Sequence, residues 1–172
     1  PDLVVLHSLR PLYQIDFDGK LFAAASHIES RTFREFNRRR LHLSEHAKYL
    51  NSGVMMMNLA LLRKESPQAI IDYIQSHKAT LLLPDQDVLN ALYADRTIPL
   101  DPLVYNLGEK YLRLKNLHLP EQEKLTLDWV RSHTAIVHYY GRNKPWKEHY
   151  RGILGALYHE WEQQLRQLTG KN

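Results

Sequence analysis

The chain has 172 residues, 44% of them hydrophobic, a formal net charge of +4 and no cysteine. This length and apolar content support a folded core, so disorder is not the default, and the lack of cysteine leaves only His, Asp and Glu as metal ligands. No apolar run reaches the roughly 18 residues that span a bilayer, and residues 1–6 lack the basic flank of a secretion signal, so the sequence predicts a cytoplasmic protein.

Apolar runs separated by turn signals divide the first 60 residues. The run at 3–6 starts without a cap or turn and predicts a buried strand of a parallel sheet whose earlier strands are absent. The charged stretch 29–48 is predicted to be exposed. The predicted elements are strands at 3–6, 21–25 and 49–58, a turn at Asp18-Gly19 and some helix at 32–39.

Helical spacing dominates the rest of the chain. Ile70, Ile71 and Ile74 share one predicted helix face, Asp85 is expected to cap the next helix, and 101–128 is predicted to be irregular. The predicted elements are helices at 59–64, 67–77, 85–93 and 152–168, strands at 97–100 and 135–139, and a loop at 141–145. The predicted inward face of the last helix consists of Leu154, Leu157, Trp161, Leu165 and Leu168.

Three polar clusters lie at predicted strand or helix ends, where open α/β sheets bind ligands. One of them combines His138, Gly141 and Lys144, a set that suits a metal-bound diphosphate. A strand-end histidine bonded to backbone, followed by a solvated basic turn, is the alternative. The clusters are Asn51-Ser52-Gly53, Asp85-Gln86-Asp87 and residues 138–146.

The two other clusters also allow two interpretations. Asp85 and Gln86 offer an acceptor and an amide that could grip hydroxyls, or they cap a helix and face solvent. Asn51 and Ser52 could do the same, or stabilise a strand entry as turn residues. Three methionines at 55–57 are interpreted as core filling rather than as a metal site.

Together these segments resemble glycosyltransferase family 8, the retaining enzymes that include glycogenin and bacterial lipopolysaccharide galactosyl- and glucosyltransferases. The resemblance implies an α/β fold of the GT-A nucleotide-diphospho-sugar transferase type, with a mixed sheet flanked by helices and its N-terminal nucleotide-binding strands missing. Residues 1–172 would then be the C-terminal part of a single domain. The matching segments, in the family's order, are 1–9, 49–59, 85–90 and 138–146.

The resemblance also assigns a metal and diphosphate site. Asp2 matches the second carboxylate of the family's Asp-x-Asp motif and Pro1 its middle residue, so the first carboxylate would precede residue 1. His138 matches the third protein ligand to the metal, which would be Mn2+ or Mg2+. Gly141 and Lys144 match residues that contact the diphosphate.

Donor-sugar contacts follow in the same way. Asn51, Ser52 and Asp85 would hold hydroxyls, and Gln86 would lie under the anomeric carbon. Gln86 and Asp85 are the expected catalytic residues. Because an amide oxygen is a poor nucleophile, retention is expected to proceed by same-face attack through an ion-paired state. His27 stands where several relatives carry an aspartate, and it either donates to a hydroxyl or is a surface histidine.

The implied function is metal-dependent transfer of a hexose, glucose or galactose, from a UDP-sugar to a glycan or lipid-linked acceptor, as in lipopolysaccharide biosynthesis. Peripheral contact with the inner face of a membrane is expected through the basic segment 31–40 and the final helix. One alternative is a catalytically inactive fragment that binds a sugar or a partner. Another is a basic nucleic-acid or membrane module, although neither stacked aromatics nor a helix-turn-helix pattern supports nucleic acid.

Overall fold

The computed structural model describes residues 2–26 and 31–170, apart from the side chain of Arg31. The chain forms two compact units: unit 1 comprises Pro1–Leu9 and Leu103–Asn172, and unit 2 comprises Arg10–Pro102. His27, predicted to contact the donor sugar, lies outside the described residues. That residues 1–172 belong to a single domain stays a prediction.

Short strands and helices alternate along the chain, as expected of an α/β protein. The strands are β1 (Leu3–Val5), β2 (Phe22–Ser26), β3 (Leu50–Met57), β4 (Thr97–Leu100) and β5 (Ile136–His138). The helices are α1 (Arg10–Tyr13), α2 (Arg31–Arg40), α3 (Leu59–Leu62), α4 (Gln68–His77), α5 (Pro84–Tyr93), α6 (Pro102–Tyr105), α7 (Glu109–Asn116), α8 (Leu127–His133) and α9 (Gly155–Thr169). Single 3-10 turns lie at Ala94–Arg96 and Glu121–Glu123.

A mixed three-stranded sheet in the order β3-β2-β4 forms the centre of unit 2. The central strand β2 pairs antiparallel with β3 and parallel with β4. Residues 21–25 are all buried, because β2 has a strand on each side and its three alanines let neighbouring elements approach closely. The predicted turn before it is confirmed, since Asp18 and Gly19 both have positive φ.

A large bulge interrupts the pairing of β2 with β3. Ala24 lies opposite Met55, and Ser26 lies opposite Leu50. Between these two pairs β2 contributes only Ala25, whereas β3 contributes residues 51–54. The start of β3 therefore leaves the ladder, and its polar side chains are free to meet another element, which is a common use of bulges beside binding sites.

The inward face of α4 differs from the prediction. Ile70 packs against the small apolar core around Leu21, but Ile71 and Ile74 are exposed. The half-buried residues are instead Ile70, Tyr73 and His77, which are three and four residues apart and so share one helix face. The hydrophobic spacing thus predicted the helix correctly and its orientation only in part.

A two-stranded antiparallel ladder between β1 and β5 underlies unit 1. The prediction of a buried parallel strand at 3–6 is wrong in two respects: the pairing is antiparallel, and only Val4 of β1 is buried. Side chains of a strand alternate between its faces, so Val4 enters the core while Leu3 and Val5 point the other way. The core around Val4 includes Leu107, Leu112, Val130, Val137, Tyr139, Leu154 and Leu157.

The stretch 101–128, predicted to be irregular, contains two helices and the start of a third. Its lysine residues are exposed, and α7 has only a short amphipathic pattern in which Leu112 alone is fully buried. One buried side chain per helix gives too weak a periodicity for prediction, so these helices depend on tertiary packing.

The carboxylate of Glu109, at the start of α7, caps the N-terminal end of α9. It accepts hydrogen bonds from the backbone N–H groups of Ile153 (3.1 Å) and Leu154 (3.0 Å) and from the Tyr150 hydroxyl (2.9 Å). A negative charge here satisfies unpaired amides and favours the helix dipole. The predicted inward face of α9 is right for its first turns and wrong for the exposed residues Trp161, Leu165 and Leu168.

Replacing Glu109 with alanine should lower the free energy of unfolding by about 1–3 kcal/mol, because two helix amides and one hydroxyl lose their acceptor. Urea unfolding measures the change. The matched control is Glu121→Ala, which removes an exposed carboxylate paired only with Lys124 three residues away and should cost less than about 0.5 kcal/mol. If both substitutions lower the free energy of unfolding equally, the Glu109 cap contributes no more to stability than an exposed ion pair.

Candidate functional site

The β1–β5 ladder places Asp2 beside the end of β5. Leu3 lies opposite His138, and the Tyr139 N–H donates to the Asp2 carbonyl at 2.8 Å. As a result the Asp2 Oδ2 and His138 Nε2 atoms are 3.6 Å apart. Two side chains that the sequence resemblance assigned to one metal therefore meet in space.

Lys144 completes this polar group. Its ammonium donates to Asp2 Oδ2 at 2.7 Å and to the Tyr139 carbonyl at 2.6 Å, and it lies over the Trp146 ring. Burial by itself raises the pKa of Asp2, but the hydrogen bond and charge of Lys144 outweigh burial, so the pKa lies below its ordinary value. Asp2 is consequently an anionic oxygen donor at neutral pH.

His138 is almost fully buried, with 6% of its surface exposed. Its Nδ1 atom is 2.7 Å from the Asn106 side-chain oxygen, and the Tyr140 ring meets its ring edge to face. Burial lowers the pKa of His138, and the opposing effect of the Asp2 carboxylate does not cancel it. The imidazole is therefore neutral at pH 7, the form in which a histidine can bind a metal.

The donor set of Asp2 and His138 fits Mn2+ or Mg2+ in type and spacing. Carboxylate oxygen and neutral imidazole suit Mn2+, and two ligands with bonds of about 2.1 Å can be up to about 4 Å apart around one ion. Among residues 2–26 and 31–170, no group of three or more His, Cys, Asp or Glu side chains could hold a metal. These two residues would thus supply part of a coordination sphere.

The loop after β5 follows the sequence prediction closely. Gly141 has φ +82°, a backbone conformation that favours glycine, and nothing lies within 4 Å of the place a Cβ would take. Asn143 holds the loop by exchanging two hydrogen bonds with the backbone of Arg151. Gly141 and Lys144 are therefore presented on a fixed turn next to His138.

The predicted sugar-binding residues come together in unit 2. Gln86 Oε1 accepts from the Asn51 side-chain amide (3.1 Å) and from the Ser52 backbone N–H (3.3 Å), while the Ser52 hydroxyl donates to Asp85 (2.9 Å). Asn51 and Gln86 are buried, and Asp85 is exposed. The bulge of β3 and the first turn of α5 thus form one polar cluster from two of the three predicted segments.

Asn90 joins β3 to α5 behind this cluster. Its side chain accepts from the Leu50 N–H at 2.7 Å and donates to the Leu50 carbonyl at 2.9 Å and to the Gln86 carbonyl at 2.8 Å. A buried amide with this many partners holds both backbones in place. It therefore fixes the distance between Asn51 and Gln86.

Asp87 is 0% exposed and accepts hydrogen bonds from several parts of the unit. It accepts hydrogen bonds from the two terminal nitrogens of Arg40, Nη1 (2.7 Å) and Nη2 (2.8 Å), and from the Tyr49 hydroxyl (2.6 Å). It also accepts the backbone N–H groups of Leu82 (2.7 Å) and Leu83 (3.0 Å). Burial alone raises the pKa of Asp87, but these donors bring it down to about 2.

This network corrects two sequence-based interpretations. Asp85 does not cap α5: the helix starts at Pro84, Leu83 is the capping position, and Asp87 rather than Asp85 binds the amides before it. Arg40, counted with the exposed basic segment, is instead largely buried against Asp87. Residue type gave no sign of the Arg40 contact, because Arg40 is 47 residues from Asp87.

Sequence reasoning also missed Asn106. It lies in the stretch predicted to be irregular, and an isolated asparagine after a short helix is a common turn residue. The residues around Asn106 do not indicate that its side chain contacts His138, which is 32 residues away. Only the pairing of Leu107 with β5 creates that contact.

Within the part of the chain that the structure describes, none of the helices has both the length and the apolar character to cross a bilayer.

The mixed α/β architecture, with polar clusters at the ends of strands, is that of a GT-A glycosyltransferase. The chain belongs to glycosyl transferase family 8, whose model matches residues 1–149. This membership confirms the family resemblance of the sequence and supports a glycosyl transfer function.

Two curated relatives are similar along most of the chain. General stress protein A of Bacillus subtilis is 30% identical over 151 residues, which cover 84% of this chain and 50% of that protein. Glycosyltransferase GlyA of Streptococcus pneumoniae is 29% identical over 148 residues, covering 86% of this chain and 18% of GlyA. The chain therefore spans half or less of the length of these relatives.

Solved structures share the fold at lower identity. Galactosyltransferase LgtC, in complex with donor and acceptor sugar analogs, matches 95% of this chain and 58% of its own, with a TM-score of 0.75 and 22% identity. Glycosyltransferase GlyE of Streptococcus pneumoniae matches 99% of this chain and 40% of its own, with a TM-score of 0.65 and 23% identity.

The Asp87 network predicts a specific loss of stability in acid. A pKa depressed from 3.8 to about 2 contributes about 2 kcal/mol above the unfolded-state pKa, and this contribution is lost as the pH falls from about 5 towards 2. In Asp87→Asn, the free energy of unfolding should be lower at pH 7 and the deficit relative to wild type should shrink in acid.

Urea unfolding at a series of pH values measures this difference. The control is Asp72→Asn in the same unit, because Asp72 is exposed and bonded only to neighbours in its own helix. Its effect at pH 7 should stay below about 0.5 kcal/mol. A deficit of Asp87→Asn that is constant from pH 7 to 3 would contradict the assigned role.

Proposed function

We propose that the chain carries the donor-binding residues of a retaining, metal-dependent hexosyltransferase that uses a UDP-sugar. The observation that carries the proposal is the 3.6 Å approach of Asp2 Oδ2 to His138 Nε2, beside Lys144 and Gly141. Family membership and the cluster of Asn51, Ser52, Asp85 and Gln86 support it independently. The donor sugar would be glucose or galactose.

In unit 1, Asp2 and His138 would bind Mn2+ or Mg2+, and Lys144 and Gly141 would bind the diphosphate. When bound, the divalent ion supplies charge neutralisation at the diphosphate oxygens. Lys144 adds a second positive charge where negative charge develops as the nucleotide leaves. The positive φ of Gly141 and its open surroundings leave room for phosphate oxygens close to the backbone.

In unit 2, Asn51, Ser52 and Asp85 would bind donor-sugar hydroxyls. The Gln86 amide oxygen already accepts two hydrogen bonds, which makes it a still poorer nucleophile and supports same-face substitution. In that reaction the bond between the anomeric carbon and the phosphate oxygen breaks, and the acceptor oxygen bonds to the anomeric carbon on the same face. The acceptor's proton passes to the departing diphosphate, so no covalent sugar–enzyme bond is needed.

A glycan or lipid-linked acceptor remains part of the proposal. The exposed arginines of α2, Arg34 and Arg39, provide positive charge for a phosphorylated acceptor or an anionic membrane surface. The exposed apolar side chains Trp161, Leu165 and Leu168 of α9 suit contact with lipid. Arg40 does not belong to this surface, since Asp87 holds it.

Calorimetric titration with UDP, in Mn2+ and in excess chelator, tests the proposal. Wild type should bind UDP more tightly with Mn2+, and His138→Ala should weaken that binding by at least about tenfold, because a metal ligand is lost. The matched control Arg142→Ala removes an exposed cation of the same loop and should change affinity less than about fivefold.

Equal effects of the two substitutions would count against the metal role of His138, provided that circular dichroism shows both variants folded. Mn2+-dependent hydrolysis of UDP-glucose and UDP-galactose separates the enzyme from a fragment that binds without turnover. Affinity for nucleic acid that falls steeply with salt, together with indifference to Mn2+ and UDP, would instead identify a basic binding module.

A further inference from the structure

Asn106 is held beside β5 by backbone hydrogen bonds of its neighbour. The Leu107 N–H donates to the Ile136 carbonyl at 3.1 Å, and the His138 N–H donates to the Leu107 carbonyl at 2.8 Å. Asn106 itself is 2% exposed. Its side chain therefore has little freedom to leave His138.

The contact between the two side chains determines where the imidazole carries its hydrogen. The Asn106 oxygen lies 2.7 Å from His138 Nδ1, and a carbonyl oxygen can only accept a hydrogen bond. Nδ1 must then carry the hydrogen. In a neutral imidazole this leaves Nε2 with a lone pair, and Nε2 is the atom that faces Asp2.

In this tautomer Nε2 and the Asp2 carboxylate face each other as two hydrogen-bond acceptors, and the Lys144 ammonium, which donates to Asp2 Oδ2, offsets their repulsion. Nε2 and Asp2 Oδ2 are 3.6 Å apart, which is longer than an ordinary hydrogen bond. A carboxylate is a stronger acceptor than an amide, so the other tautomer, with Nε2 donating to Asp2, would be preferred if the histidine had no other partner. The short, buried bond to Asn106 opposes that preference.

We propose that Asn106 is a positioning residue: it selects the His138 tautomer whose Nε2 lone pair points towards Asp2 and is available to a divalent cation. The link to a cation depends on the proposed function, whereas the tautomer itself does not. Hydrogen-bond partners behind metal-binding histidines commonly fix ring orientation and tautomer in this way.

The first experiment needs neither a metal nor an acceptor. Long-range proton–nitrogen NMR of metal-free, histidine-labelled protein distinguishes hydrogen-bearing from lone-pair ring nitrogens, and loss of the signals in His138→Gln assigns them. Wild type should show the hydrogen on Nδ1 and the lone pair on Nε2. A hydrogen on Nε2 alone would overturn the proposal without any variant of Asn106.

Substitutions of Asn106 test whether its side chain determines the tautomer of His138. Asn106→Leu removes the acceptor, so the hydrogen should move to Nε2 and bond to Asp2, whereas Asn106→Asp keeps an acceptor oxygen and should keep the hydrogen on Nδ1. Asn116→Leu, which removes an asparagine at the end of α7 in the same unit that bonds to the Leu125 backbone, should leave the His138 tautomer unchanged. An unchanged tautomer in folded Asn106→Leu overturns the proposal.

Mn2+ binding, followed by the electron paramagnetic resonance of free Mn2+, gives an independent readout. Asn106→Leu should lose at least about tenfold in Mn2+ affinity, and Asn106→Asp should retain most of it. Unchanged affinity in folded Asn106→Leu contradicts the positioning role. If wild type shows the expected tautomer but binds no Mn2+, the proposed function fails while the role of Asn106 in selecting the tautomer stands.

Discussion

The antiparallel ladder between β1 and β5 is the constraint on which the site of unit 1 depends. It brings Asp2 and Lys144, 142 residues apart in sequence, to hydrogen-bond distance and sets His138 next to both. A shift of one residue in the register would move each side chain of the strand to the opposite face. The alternation that buries Val4 thus also determines which polar residues meet at the end of β5.

Unit 2 depends on a buried carboxylate in a comparable way. Burying a charge costs several kcal/mol unless partners compensate for the lost water. Asp87 has donors from α2, from Tyr49 just before β3 and from the segment before α5, so one side chain fixes three parts of the unit. Asp85 and Gln86, which are proposed to bind the donor sugar, lie in the same turn as Asp87, so their positions depend on a buried group outside the proposed sugar contacts.

Sequence alone predicted the parts of the fold that are encoded locally. The strand at Thr97–Leu100, the bulge-bearing strand β3 and the loop after His138 follow from hydrophobic runs, glycine and proline, which act within a few residues. Family resemblance then predicted which polar residues gather, and Asn51, Ser52, Asp85 and Gln86 do form one cluster. Their chemical roles stay predictions.

What sequence could not predict depends on partners far along the chain. In the sequence Arg40 resembles any other arginine of a basic helix. In the structure its guanidinium is bound by Asp87, which is 47 residues away. Asn106 acquires a role only because Leu107 pairs beside β5. The helices α7 and α8 were missed because few of their side chains are buried, so their stability comes from packing rather than from a periodic pattern.

The double hydrogen bond between Asn90 and Leu50 has a consequence for association between chains. In the described sheet, β3 is an outer strand, and an outer strand ordinarily offers unpaired peptide groups to any extended segment nearby. The Asn90 side-chain amide bonds to Leu50 as a neighbouring peptide unit would: its oxygen accepts from the Leu50 N–H, and its NH2 donates to the Leu50 carbonyl. At Leu50, therefore, a side chain on a helix takes the place that an incoming strand would otherwise fill.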